Sequence, residues 1–434
     1  MRKRARVKIW KESELPPDWF TRQGTGRKTS RQIEDKVEAV VSEVKRNGDS
    51  ALLEFTEKFD KAKLDRQNLR VKQKEIDEAY DKVSEKQVSA IRFMKDRVRA
   101  FEKRNFYRGK VEFSENGVTV QNVLRPITSV GCYVPGGQAA YPSTLVMTVV
   151  PAKVAGVQRI VVCTPPDPAG KVNPIVLVAA DICGLDEIYK IGGAQAIAAL
   201  AYGTETIRPV KKIVGPGNKY VTLAKILVSK DVAIDMPAGP SEILVLADET
   251  ADPQFIVLDM ISQAEHGTDS VAGLITTAEN LAREVQTGLE AKLNSLQRSE
   301  IVETSLERNA FMVICPDMNS AVELANIFAP EHIEIMTRNP DQIMTRITSA
   351  GLILLGSYSP VALSDYCSGT NHVLPTGGFG HAFSGLSASD FSRRVSIVEG
   401  SKEGLLSVKD QVNTMAEAEN LPNHYKAVEG RFEK

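Results

Sequence analysis

Histidine and cysteine are scarce in this 434-residue chain, five of each, and tryptophan occurs twice. The cysteines, Cys132, Cys163, Cys183, Cys315 and Cys367, are odd in number, scattered and never spaced as CxxC. That excludes a thiolate zinc finger and gives no disulfide framework. Their apolar settings, as in "RIVVCTPP" and "FMVICPD", predict buried reduced thiols and a cytoplasmic protein. No apolar run reaches the roughly eighteen residues of a membrane helix. The basic start "MRKRARVK" leads into "IWKESELPPDWF", not into a signal core. No membrane role is expected. Excess positive charge is missing as well: the formal net charge is −1, so nothing supplies the concentrated positive field that nucleic acid requires. The short basic N-terminus reads as a solvated segment. None of the glycine turns spells GxGxxG.

What is present reads as several compact units, since the chain is too long for one hydrophobic core. Residues 30–105 are dense in charge at helical spacing, with Gly48 as a stop. From about residue 125 short apolar runs end in Gly or Pro and give way to helical segments: "SVGCYVPGG", "RIVVCTPPD", "EIYKIGGAQAIAALAYG", "KKIVGPGNKYVTLAKILV". A second series runs from "SEILVLADET" through "AGLITTAEN", "FMVICPDMNSAVELANIF" and "HIEIMT" to "AGLILLGSYS". Strands alternating with helices predict parallel sheets, hence two α/β domains. After about residue 385 a charged helical tail is expected.

The histidines narrow the search for chemistry. In "ISQAEHGTDS" a helix starting at Asp252-Pro253 and running to Gly267 places Gln263 and His266 one turn apart on one face at its C-terminus. A lone histidine at a helix end is more often a dipole partner, so this stretch needs others to meet it. In "FAPEHIEIMT" Glu331 and His332 suit acid–base work, but neighbouring strand residues face opposite ways unless the backbone is irregular, which Pro330 allows. The loop "LSDYCSGTNHVLPTGGFG" carries Asp365, Asn371 and His372; Asp365 is either an oxygen ligand or a turn cap. "AEAENLPNHYK" sets Glu419 and His424 around a turn in the tail. The glycine loops "GCYVPGG", "GGAQAIAAL" and "GPGNKY" follow apolar strands and only weakly favour a nucleotide.

Together the stretches "RPITSVGCYVPGG", "GGAQAIAALAYGTE", "GPGNKYVTLAK", "IDMPAGPSEILVLAD", "ISQAEHGTDS", "APEHIEI", "SDYCSGTNHVLPT" and "AEAENLPNH" resemble, in order and over almost the whole chain, the histidinol dehydrogenase family. The resemblance implies a zinc-dependent enzyme, one zinc per subunit, that oxidises L-histidinol to L-histidine through the aldehyde with two NAD, as the last step of histidine biosynthesis. It implies zinc ligands at Gln263, His266, Asp365 and His424, and a catalytic pair of Glu331 and His332. It further implies substrate contacts at Ser241, Gln263, His266, His332, Asp365, Glu419 and His424, and NAD contacts at Tyr133, Gln195 and Asn218. The implied fold is α/β: two incomplete Rossmann-like domains, one formed by 29–132 and 242–384 and the other, 133–241, inserted in it. A helical N-terminal arm, 1–28, and a tail, 385–434, complete a homodimer with shared active sites. His381 matches no family role. The alternatives are a relative that oxidises another primary alcohol, such as a sulfonated diol, and a non-catalytic zinc- or nucleotide-binding protein.

Overall fold

The computed structural model describes residues 7–16, 19, 31–106, 111–136, 139–293 and 296–433. In chain order its strands are β1 (Lys8–Lys11), β2 (Val111–Glu115), β3 (Val118–Pro126), β4 (Ser129–Tyr133), β5 (Arg159–Thr164), β6 (Ile188–Lys190), β7 (Lys212–Val214), β8 (Ala233–Ile234), β9 (Glu242–Ala247), β10 (Val271–Thr276), β11 (Phe311–Ile314), β12 (His332–Met336), β13 (Leu352–Leu355) and β14 (Ser392–Gly400). Two sheets are parallel throughout. The smaller runs β6-β5-β4-β7-β8; the larger runs β1-β11-β10-β9-β12-β13. Numbered from the first strand of each α/β series, both follow the order 3-2-1-4-5 and lack the sixth strand of a full doubly wound sheet. The predicted pair of incomplete Rossmann-like sheets is therefore present. Helices cover these sheets, so their strands are continuous apolar runs: "EILVLA" in β9 is buried at every position and "RIVVCT" in β5 at all but the first.

The N-terminal helices pack on the helices of the smaller sheet. The helix Arg31–Asp60, broken as predicted at Gly48 with φ 54°, packs on Gly193–Tyr202 and Lys219–Val228. Gln73–Tyr80 and Glu85–Asn105 pack on Pro174–Ile182 and Pro142–Ala155. All three thus cover the smaller sheet, whose central strand is β4. An amphipathic stripe dictates that a helix face is buried but not which of two similar sheets receives it.

Two differences concern the chain ends. The N-terminal arm, expected to be helical, contributes an edge strand: β1 pairs with β11 and is followed by a single 3-10 turn, Glu12–Glu14. Residues 1–6 of the basic run, and much of the rest of 1–28, lie outside the described residues. The tail opens with a strand, not a helix. β14 pairs antiparallel with β3, and β3 with β2, through a two-residue turn at Asn116 and Gly117 with φ 48° and 78°. Both positive angles mark a type I′ hairpin, for which Asn-Gly is the usual signal. β2, most of β14 and the helices that follow stand in solvent, with Phe113, Val398, Leu406 and Met415 all more than half exposed. The helices Lys402–Ser407, Lys409–Ala418 and Pro422–Glu429 pack on one another and on β14, and no described residue beyond Phe391 joins the large apolar cores.

Candidate active site

The helix Pro253–Ala264 begins as its sequence predicts but stops short of the expected end at Gly267, so His266 stands in the turn beyond it. Asp252 caps it, accepting the Gln254 N–H at 2.8 Å, and Pro253 takes the first helical position. Ile256, Val257, Met260 and Ile261 bury its apolar face, and Gln263 in the last turn is only 1% exposed. Neither Nε2 nor Oε1 of Gln263 has a hydrogen-bond partner among the described residues. Leaving such groups unpaired costs about 1–3 kcal/mol each, so this amide marks a place built for a ligand. Just beyond, His266 Nδ1 lies 3.1 Å from the Ser262 carbonyl and 3.3 Å from that of Gln263. Carbonyls only accept, so Nδ1 carries a proton, and Nε2 is the ring nitrogen through which this residue could meet a metal.

The larger sheet brings the acid–base pair to the amino ends of β9 and β12. The helix Met318–Phe328 ends at Ala329, a non-glycine residue in the left-handed region with φ 48°, and Pro330 follows. This is the irregular backbone the pair needs, and it sets Glu331 Oε2 3.7 Å from His332 Nδ1, with both side chains buried. Glu242 holds the two through its main chain: its N–H donates to Glu331 Oε2 at 2.8 Å, and its carbonyl lies 3.3 Å from His332 Nδ1. His332 Nε2 is buried without a partner among the described residues, so it is the ring atom available to a substrate proton. Burial opposes charge on His332, but the Glu331 carboxylate outweighs it, with help from Asp365 and the Glu242 carbonyl, and raises its pKa above the ordinary value.

Asp365 joins this neighbourhood from the short helix Val361–Tyr366, whose first N–H donates to Glu334 Oε1 at 3.0 Å. Its Oδ1 is 3.6 Å from His372 Nδ1. Burial works against its charge, yet His372 first, then His332 and His266, hold the carboxyl below its usual value. An anionic Asp365 therefore lies within the field of three histidines. The tail residues do not reach it. Glu419 and His424 are exposed, and among the described residues no three His, Cys, Asp or Glu side chains converge as a metal-binding set. Ser241 is half-buried just ahead of β9, its carbonyl accepting the Val271 N–H at 2.9 Å.

The expected NAD contacts gather at the other kind of strand end, the carboxyl ends of the smaller sheet, where doubly wound sheets bind dinucleotides. Tyr133 closes β4, and its hydroxyl accepts the Gly193 N–H at 3.1 Å; burial pushes the phenol pKa up, so its proton stays available to donate. Gln195 Oε1 is buried without a partner among the described residues. Asn218 caps the helix Lys219–Val228, accepting from Tyr220 and Val221 N–H at 3.0 and 3.2 Å, which leaves its Nδ2 to donate. Gly215 sits at φ +117° where a Cβ would run into the Tyr133 carbonyl, so only glycine lets this loop lie against β4. Lys225 donates to the Gly215 carbonyl at 2.9 Å and pairs in the interior with Asp235, which accepts the Gly215 N–H at 2.7 Å.

Residues 24–432 match the family model described as histidinol dehydrogenase. The chain belongs to the histidinol dehydrogenase family. It is 46% identical over 393 residues to the histidinol dehydrogenase of Methanothermobacter thermautotrophicus, covering 91% of this chain and 92% of that one. It is 45% identical over 405 residues to that of Clostridium acetobutylicum, covering 93% and 94%. The crystal structure of histidinol dehydrogenase from Elizabethkingia anophelis superposes with a TM-score of 0.91 at 37% identity, over 100% of this chain and 99% of the other. The chain is thus an NAD-dependent oxidoreductase of the histidinol dehydrogenase family.

Of two further side chains beside the pair, Glu242 has no place in the sequence reading of the site and His372 stands there as a loop residue without a role. Glu242, a charge heading the apolar run "EILVLA", is buried and accepts the Gly377 N–H at 3.1 Å; a carboxylate at the head of a buried strand was the signal for it. His372 supports Asp365 and lies 3.4 Å from Thr144 Oγ1 through Nε2. Its neighbour Asn371 is an anchor instead, donating to the Met147 carbonyl at 2.7 Å.

Proposed function

We propose that this chain oxidises L-histidinol to L-histidine through the aldehyde, reducing two NAD and adding one water, at a zinc-anchored site completed by a second copy of the chain. The observation that carries the proposal is the Gln263 amide, buried with both polar atoms unpaired among the described residues, three residues before His266, whose charge is felt at Asp365. These donors fit zinc: an imidazole nitrogen, an anionic carboxylate and an amide oxygen form a nitrogen and oxygen set of the kind catalytic zinc accepts. Gln263, His266 and Asp365 would hold the metal from one subunit and the partner subunit's His424 from the other.

Zinc, when bound, supplies a Lewis-acidic anchor for the substrate's amine and imidazole, and NAD, when bound, supplies the hydride acceptor for each oxidation. The chain's own residues move the protons. His332 Nε2 takes the alcohol proton as hydride leaves the same carbon, giving the aldehyde. The aldehyde cannot give a hydride to yield the acid until water adds, so Glu331 takes a proton from that water while protonated His332 returns its proton to the carbonyl oxygen, which frees Nε2 for the second oxidation. His332 then takes a hydroxyl proton of the hydrate as the second hydride leaves, giving the carboxylic acid. Ser241 and the partner subunit's Glu419 position the substrate.

The exposed apolar side chains of β14 and the tail helices, carried outside every large core, support a two-fold partner on that face. The free cysteines, four of them buried, are in keeping with the reducing cytoplasm. A panel assay tests the substrate. Zinc-loaded protein is expected to form NADH far faster from histidinol than from simple primary alcohols or a sulfonated diol. Faster turnover of the sulfonated diol would transfer the site to that chemistry, and turnover of none would make the chain non-catalytic.

A further inference from the structure

Beside the expected NAD contacts, a cavity of about 680 Å³ opens at the carboxyl ends of β4 and β5, lined in part by Asp60 from the end of the helix Arg31–Asp60. In doubly wound sheets the adenosine half of a dinucleotide lies over the first and second strands, and an acid there takes the ribose hydroxyls. By chain order that acid would be Asp167, just after β5. It is exposed, and its Oδ1 already accepts the Lys171 N–H at 2.8 Å in a turn. Asp60 is differently placed. It is half-buried, and among the described residues its Oδ2 meets only Gln195 Nε2, at a long 3.4 Å. The other end of that amide, Gln195 Oε1, is buried without a partner among the described residues. A carboxylate with one long hydrogen bond thus lines the cavity, and the amide that gives it that bond has its own oxygen unpaired among the described residues.

We propose that Asp60 is the specificity-determining residue for the cofactor: its carboxylate accepts the hydroxyls of the adenosine ribose and rejects a 2′-phosphate. The proposal rests on the reading that NAD binds at these strand ends. The charge around the cavity agrees. Glu78 and Asp167 line it with Asp60, against Lys82 and Lys171, while Glu75 is held by Lys190 at 2.6 Å. No arginine lines it among the described residues, so the planar guanidinium that serves phosphate elsewhere is missing. Burial pushes the Asp60 carboxyl up to about 6, as expected for an acid desolvated ahead of its partner, and leaves it ionised at neutral pH.

Calorimetric titration of the full-length protein with NAD and with NADP is the test, on the wild type, Asp60→Asn, which keeps the shape, and Asp60→Ser. Wild type is expected to bind NAD about a hundredfold more tightly than NADP. Both variants should narrow that ratio by about tenfold or more, through weaker NAD and stronger NADP binding, since a hydrogen bond to a charged group is lost and a repulsion removed. The ratio of kcat/KM values for the two cofactors should move alongside. If both variants bind NAD and NADP with a wild-type ratio, Asp60 does not select. Asn218→Ala separates the two failures. Weaker NAD binding there with an unmoved Asp60 ratio overturns the selectivity proposal alone, whereas unchanged NAD binding overturns the cofactor site itself.

Discussion

Glu331→Gln is expected to slow the second oxidation by about a hundredfold or more, the usual worth of a general base, while the first oxidation loses far less. The asymmetry follows from the geometry. A glutamine oxygen can still accept the Glu242 N–H that now meets Glu331 Oε2 at 2.8 Å, so the bend at Ala329 and the position of His332 survive. His332 Nε2, buried without a partner among the described residues and proposed to take the alcohol proton, is unaltered. What disappears is the carboxylate proposed to deprotonate water. Single-turnover traces should therefore show a first NADH at near its normal rate and a delayed second. Equal slowing of both phases would assign Glu331 to holding His332 rather than to activating water.

Removing metal should have an effect at least as large on turnover and little on the fold. The side chains assigned to zinc stand on elements with cores of their own. Ile256, Val257 and Met260 anchor the helix bearing Gln263, and Val361, with its N–H held by Glu334, anchors the helix bearing Asp365. This differs from a zinc finger, in which metal binding and folding are one event. Chelation is expected to lower NADH production by on the order of a hundredfold or more, since several kcal/mol of substrate anchoring and polarisation go with the metal. The far-UV circular dichroism spectrum should stay unchanged. Full activity in metal-free protein would remove zinc from the mechanism, and unfolding on chelation would make it structural.

Local chemistry was legible in the sequence and long-range assembly was not. Asp252-Pro253 announced the start of the helix that ends in Gln263, because capping depends on neighbours in the chain. Strand-to-helix alternation announced the parallel sheets, because a strand covered on both faces must be apolar throughout. Which sheet the N-terminal helices cover is not legible in the sequence, since their apolar faces fit either. β14 reads as charged tail because "SRRVSIVEG" is largely exposed and shows no buried alternation. The Asn-Gly pair in "SENGVT" carries the hairpin signal on its own. Within the site, Glu331 and His332 could be seen as adjacent letters. That Glu242 binds both through its backbone, and that His372 supports Asp365, depends on strand register and on a loop return spanning many residues.

The central claim is that each site takes its catalytic pair from one subunit and His424 from the other, and mixing two inactive variants tests it most directly. Glu331→Gln keeps a sound tail, and His424→Ala keeps a sound body. In a heterodimer with shared sites, one site carries both defects and the other carries none. Random exchange yields about half heterodimers, each with one good site of two, so roughly a quarter of wild-type activity should return. Two different tags on the subunits report whether exchange has occurred. Heterodimers that form and remain inactive would contradict the account, because each tail would then serve its own subunit.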